Sequence, residues 1–202
     1  MPVSRLEITS REPFDAGAPF GDAGPYELLE GRAYFAADPL HRANQPITDV
    51  ELAPRDSAGN VRFSSHFAML QPVDPDLGSR RLVLDVVNRG RKTVLSSFNS
   101  SPRPPDQTAP IDPGNGFLMR HGHTVVWCGW QADVPPTPGL MGLQAPEAVG
   151  PGGRLKGEML CQFQANQPTQ LFLLADRDHL PHPPADVDDP TATLTVRDHP
   201  NG

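Results

Sequence analysis

Asn88, Arg89 and Gly90 stand where a negatively charged intermediate could be held. They follow directly on the apolar run LVLDVV (residues 82–87), just beyond the carboxyl end of any strand that run forms. Ligands of open α/β sheets gather outside those strand ends. Gly90 tolerates a left-handed or closely approached backbone, which lets adjacent N–H groups turn toward a developing oxyanion. The same three residues also fit a plain strand terminus, capped by Asn and Gly, with Arg89 paired to an acid. On the residues alone both readings stay open.

What would use such a loop is missing. A serine hydrolase on an α/β sheet carries its serine on a strained strand-to-helix elbow, usually G-x-S-x-G. Ser64-Ser65, Ser96-Ser97 and Ser100-Ser101 are paired serines without flanking glycines, and neither Cys128 nor Cys161 has a glycine elbow. No catalytic residue is therefore assigned. The glycines of GLMGL and GPGG follow no strand-helix pattern of a phosphate or dinucleotide loop, so no cofactor is expected.

Metal binding is not expected either. His121 and His123 flank Gly122 where a helix ends and a strand begins, and two histidines fall short of a structural zinc set. A histidine at a helix carboxyl end is favoured by the dipole. Asp186, Asp188 and Asp189 lack the spacing and terminal glutamate of a calcium loop and read as a solvated acidic loop. Two cysteines make neither a disulfide framework nor a zinc pair, which points to a reducing compartment.

The elements that position the loop come next. Residues 82–87 form a short apolar run rich in valine, as in a strand buried on both faces. Residues 117–119 (FLM) follow Gly116 in a helix-forming stretch that stops at Gly122. Residues 124–130 (TVVWCGW) are β-branched and aromatic, a second buried strand in which Trp127 and Cys128 point to opposite faces. Strand, crossover, helix and strand make a βαβ unit, with adjacent parallel strands and a right-handed crossover. Upstream, residues 6–9, 26–36, 47–52 and 61–70 read as antiparallel strands, with Gly31 marking a bulge. In the last of these, Val61, Phe63 and Ser65 share a face, so a change of register or a bulge is needed to bring Phe67, Met69 and Leu70 into one core. Residues 99–115 hold five prolines and almost nothing apolar, an exposed loop or site rim. Downstream, residues 154–164 and 169–175 read as a hairpin across ANQP, and ATLTVRD near the end reads as a strand. Residues 1–133 thus form the strands and the βαβ unit, and residues 134–202 a loop-rich β-hairpin insertion.

Composition bounds the class. The 25 prolines and 18 glycines are about a fifth of the 202 residues, above average usage, which favours turns and short strands. A net charge of -7 without a basic cluster argues against nucleic acid. No signal pattern and no apolar run of membrane length occurs, so a soluble, cytoplasmic protein with no membrane partner is expected.

The segments LEITSREPF, GPYELLEGRAYFAADP, DVELAPRDSAGNVRFSSHFAMLQPVDP, DVVNRGRK, DPGNGFLMRHGHTVVWCGWQADVP and ATLTVRD, in that order, resemble the N-terminal part of a family of bacterial alpha/beta hydrolase domain-containing proteins. The resemblance spans essentially all 202 residues, and VNRG and the GF-L-x-R-x-G-x-T-V-x-W-x-GWQ-D pattern carry it. It implies a strand-rich α/β fold: an incomplete α/β-hydrolase-like sheet, with antiparallel N-terminal strands, one βαβ unit and a β-rich insertion. It implies ester or related acyl hydrolysis of a small molecule, with serine, acid and histidine downstream. This part would supply scaffold and an oxyanion-side wall at Asn88, Arg89 and Gly90, inactive alone. Its free sheet edge would invite self-association or a partner chain. The alternative class is a non-enzymatic, strand-rich interaction module.

Overall fold

A computed structural model describes residues 3–165, 167–175 and 180–197. Three long strands, β1 (Val3–Pro13), β2 (Tyr26–Ala37) and β3 (Val61–Pro72), run antiparallel in sequence order. Then come β4 (Leu82–Val86), the short helices α1 (Val94–Phe98) and α2 (Phe117–Arg120), β5 (Thr124–Cys128) and β6 (Leu143–Gln144). The sheet order is β1-β2-β3-β5-β4, with β6 also paired to β3. A separate small hairpin joins β7 (Val149–Gly150) to β8 (Gly153–Arg154). The chain is a strand-rich α/β protein with a mixed sheet and few helices.

The expected parallel unit is present. β4 lies beside β5 in parallel register, Leu82 opposite Thr124 and Val86 opposite Cys128, and the crossover carries both helices. Val87, Val94, Leu95, Leu118 and Met119 bury one face of this pair against Val125 and Trp127. The other face corrects the reading of a strand buried on both sides. Leu82, Leu84 and Val86 are 61%, 57% and 63% exposed, while Asp85 and Val87 point inward. Both helices pack on the Trp127 side, so among the described residues nothing covers these outward aliphatics. Trp127 is fully buried as expected, but Cys128, on the open face, is only half-buried.

The β2–β3 ladder is uninterrupted from Tyr26 opposite Pro72 to Ala37 opposite Val61, so no register change occurs in β3. Two cores form on opposite faces instead. Tyr26, Ala68 and Leu70 join the main core, whereas Ala37 and Val61 meet Val50 in a small second cluster. One continuous ladder thus serves two clusters through alternate residues, without slipping. The bulge near Gly31 is also displaced: the extra residue is Thr9 on β1, between Ile8 opposite Gly31 and Ser10 opposite Glu30. Gly31 is needed because a Cβ there would lie 1.9 Å from the Glu7 carbonyl oxygen. The hydroxyl of Tyr26, whose pKa burial pushes up to about 12, reaches the carbonyls of Met119 at 3.0 Å and His123 at 3.2 Å and ties β2 to α2.

Four expected strands are absent among the described residues. Residues 47–52 form turns and a short 3-10 segment, Val50–Leu52, with Asp49 left-handed at φ 56°. Val50 serves as a plug for the second cluster rather than as a ladder residue. Residues 154–164 and 169–175 form no hairpin among the described residues, although Phe163 and Phe172 stack with centroids 4.8 Å apart. A lone two-stranded hairpin without a sheet or helix beneath it is marginal. Residues 192–197 form no strand, with Leu194 and Val196 exposed. The expected β-rich insertion is therefore mostly irregular chain. Asp198, the last residue of ATLTVRD, and His199 and His179 lie outside the described residues. Among the described residues, no helix is long and apolar enough to cross a membrane.

Candidate functional site

The site is built from the lone acid in the apolar run. Asp85 points to the covered face of β4, where an unpartnered carboxylate would be costly. Its Oδ2 accepts three hydrogen bonds: from the Thr93 N–H (2.8 Å), the Val94 N–H (2.8 Å) and the Trp127 indole N–H (2.9 Å). Thr93 Oγ1 donates to Oδ1 at 3.3 Å. Asp85 therefore pins the start of α1 to β4 and β5, and residues 88–92 must close as a tight loop between the two.

That loop is a turn in which the Arg91 N–H donates to the Asn88 carbonyl at 3.0 Å. Its central residues have positive φ, 53° at Arg89 and 80° at Gly90, as in a type I′ turn. An arginine held there costs about 1–2 kcal/mol. The surroundings hold it in place. The Arg89 N–H donates to Gln131 Oε1 at 3.0 Å, and the Gly90 carbonyl accepts from the Met141 N–H at 2.9 Å. A Cβ on Gly90 would meet Val134 Cγ1 at 2.9 Å and the Met141 backbone at 3.0 Å. The glycine is required both by φ and by space.

Above the loop is an open groove of about 440 Å³. Arg89 and Arg91 line one side, and Asp106, Thr108, Thr137 and Leu140 are among the residues that complete it. The Asp106 carboxyl is held below the usual carboxylate range, chiefly by the Thr108 hydroxyl and then by the Thr108 N–H. The two walls meet closely: Gly139, at φ 82°, would place a Cβ 2.0 Å from the Gln107 carbonyl. Asn99, fully buried, anchors the far end of the proline-rich loop. Its side chain accepts from the Leu118 N–H (3.1 Å) and donates to the Pro113 carbonyl (3.0 Å), while its carbonyl accepts from the Asn115 N–H (2.7 Å).

Asn88, Arg89 and Gly90 thus sit together at the carboxyl end of the parallel pair, beside the groove. The paired serines do not join them. Ser96 and Ser97 lie within α1 and donate back to the Thr93 carbonyl at 2.7 and 3.2 Å. Ser64 shares Gln144 Oε1 with Arg32, and Ser65 donates to the Gly129 carbonyl at 2.5 Å. His121 caps α2, with its ring against Phe117, and His123 meets Ser79 Oγ at 3.1 Å. Burial, then Arg81 and His121, lower the His123 pKa. Asp186 and Asp189 cap the N–H groups of Asp188 and Thr191 in their own loop. Among the described residues, no three metal-ligating side chains converge.

Sequence reasoning missed Asp85, Asn99, Gln131 and the strap at residues 141–143. Only Asp85 carried a signal, as an acid inside an apolar run that has to find donors. Neither a family model, nor a curated protein, nor a solved structure matches the chain.

Proposed function

We propose that this chain is the N-terminal scaffold of a serine-dependent alpha/beta hydrolase, forming the strand-side wall of a site for a small ester or related acyl substrate. The observation that carries the reading is β4. It is parallel to β5, helices cover it on one face only, and its free flank and open face carry Leu82, Leu84 and Val86. A sheet of this kind continues past such a strand. The opposite edge, β1, exposes Val3, Leu6 and Ile8 but sets Arg5, Glu7, Arg11 and Glu12 among them, charges of the kind that discourage edge pairing. In the proposed role, residues 88–90 border the reacting carbonyl. The Arg89 N–H is already held by Gln131, so its use as an oxyanion donor requires that side chain to give way.

The nucleophile, acid and histidine belong to chain beyond these residues. An oxyanion loop without them keeps at most about 10³–10⁴-fold over water even in a well-formed protease site. Purified chain should release p-nitrophenol from short-chain esters at background rate. Robust turnover abolished in Ser64→Ala/Ser65→Ala or in Ser96→Ala/Ser97→Ala would refute the scaffold role. The apolar flank of β4 equally favours a non-enzymatic interaction module. Reading the encoding DNA past the Gly202 codon separates the two, since only the hydrolase reading requires an in-frame G-x-S-x-G.

A further inference from the structure

His66 stands on β3 where β5 has ended, its last partner pair being Phe67 with Cys128, and where β6 begins to pair at Ser65 with Leu143. Hydrogen bonds from its backbone and its ring tie it to Gly129 and Gly142. Its N–H donates to the Gly142 carbonyl (3.1 Å), its carbonyl accepts from the Gly129 N–H (2.9 Å), and its Nδ1 accepts from the Gly142 N–H (2.9 Å). The strap holding Gly142 is seated without slack, since a Cβ on Gly129 would lie 2.6 Å from the Gly142 carbonyl. The neighbours of Gly142 lead straight to the loop beyond β4. Met141 donates its N–H to the Gly90 carbonyl, and Leu143 donates its N–H to the carbonyl of Gln131, whose side chain holds the Arg89 N–H.

We propose that His66 is a pH-sensitive latch, which in its neutral form fastens the strap at residues 141–143 and through it the turn at residues 88–91.

Two donors face the ring: the Gly142 N–H reaches Nδ1 at 2.9 Å, and Arg32 Nη2 lies 3.3 Å from Nε2. The shorter contact favours Nδ1 as the acceptor, which leaves the ring proton on Nε2 facing the guanidinium. Protonating Nδ1 removes the acceptor, sets one N–H against another, and places an imidazolium beside a guanidinium. One polar group gives relief, since a hydrogen bond with the Gly142 backbone raises the imidazole pKa, but by less than burial and Arg32 lower it. Arg32, on β2, is shared with Ser64 and Gln144, both neutral. Lys92, from the segment before α1, adds positive potential, and Glu30 of β2 is paired to Lys92 at 2.7 Å. Burial first, then Arg32, hold the imidazole below its ordinary value. The sign follows: the opened strap leaves a histidine titrating near the usual ~6.5, above the latched value. The latch is therefore at full strength above that pH and is lost as pH falls through the depressed value. None of this depends on the hydrolase reading, because the readout is the strap itself.

The test is hydrogen exchange by mass spectrometry on the full chain at low micromolar concentration. Rates at pH 7.5 and 5.0 are corrected for intrinsic exchange. In wild type, peptides covering residues 140–144 and 87–92 should lose protection at least tenfold on acidification. His66→Asn places an amide oxygen near the position of Nδ1 and does not titrate, so it should keep its protection at both values. Equal protection of wild type at both pH values overturns the proposal, and so does loss in His66→Asn over the same interval. A second measurement stands apart from the variant's folding: two-bond proton–nitrogen spectra of the wild-type imidazole at pH 7.5 should show Nδ1 unprotonated. A protonated Nδ1 there also overturns it.

Discussion

Asp85→Ala tests how the loop beyond β4 is held. The substitution removes the acceptor for three N–H groups, of which the Trp127 indole is fully buried and Val94 is nearly so. Hydrogen bonds to a charged group contribute about 1.5–3 kcal/mol each, and a buried donor left unpaired costs about 1–3 kcal/mol. The three bonds share one oxygen and are not additive, and water can replace the one to Thr93, so the expected loss is about 3–5 kcal/mol. For a chain of this size each kcal/mol shifts Tm by about 2–4 °C, so Tm should fall by roughly 6–20 °C. Asp85→Asn should cost less, about 1–2 kcal/mol, because an amide oxygen in the place of Oδ2 still accepts all three donors. Asp76→Ala is the control. Its pair with Arg80 is 3.7 Å long with side chains 87% and 84% exposed, so it should change stability by less than about 0.5 kcal/mol. Urea titration followed by tryptophan emission and far-ultraviolet circular dichroism measures all three. If the alanine variant unfolds within about 1 kcal/mol of wild type, or no earlier than the asparagine variant, Asp85 is not the anchor argued for here.

Gly31→Ala forces β1 away from β2, since its Cβ would fall on the Glu7 carbonyl. Urea titration should register a loss of about 1–3 kcal/mol, and a neutral result would mean that the bulge at Thr9 absorbs the methyl group. Gly90→Ala must hold φ 80° and displace Val134 or Met141. It should release protection at residues 141–143 in hydrogen exchange with a cost of about 1–2 kcal/mol, and unchanged protection would sever the loop from the strap. Leu84→Lys places a charge on the open face of β4. It should reduce hydrophobic-dye binding and self-association at a stability cost under about 1 kcal/mol, and a loss above about 2 kcal/mol would mean that the face is covered after all.

The parallel pair was legible because its signals are local and mutually reinforcing. A short apolar run, a glycine-bounded helix and a β-branched run leave few topologies other than a right-handed crossover. The long meander was legible for the same reason, as alternation survives in β2 and β3. What alternation could not convey is which face is packed at each point along a strand. Val61 and Leu70 bury opposite faces of one continuous ladder, and nothing in the residues distinguishes that from a slip. Residues 47–52 alternate as a strand would, yet Asp49 takes a left-handed backbone and Val50 turns inward as a plug. The loop at Asn88, Arg89 and Gly90 could be placed from its position after β4. Its fastening could not, because Gln131 and Met141 lie more than forty residues away, in segments without periodicity.

The mismatch at β4 is itself informative. LVLDVV has the composition of a strand enclosed on both faces, and composition of that kind reflects the environment a sequence must tolerate. In the fold only one face is enclosed, and three aliphatic side chains meet water. Each forgoes a large part of the ~1.5–3 kcal/mol that full burial of such a side chain contributes. An edge strand with no other duty would gain solubility from a lysine or a glutamate at Leu84 and lose little. β1 interleaves Arg5, Glu7, Arg11 and Glu12 with its exposed Val3, Leu6 and Ile8. The difference lies in the open face of β4, which carries Leu82, Leu84 and Val86 and no charged residue, and in the scaffold role proposed above that face is where a packed surface would dock.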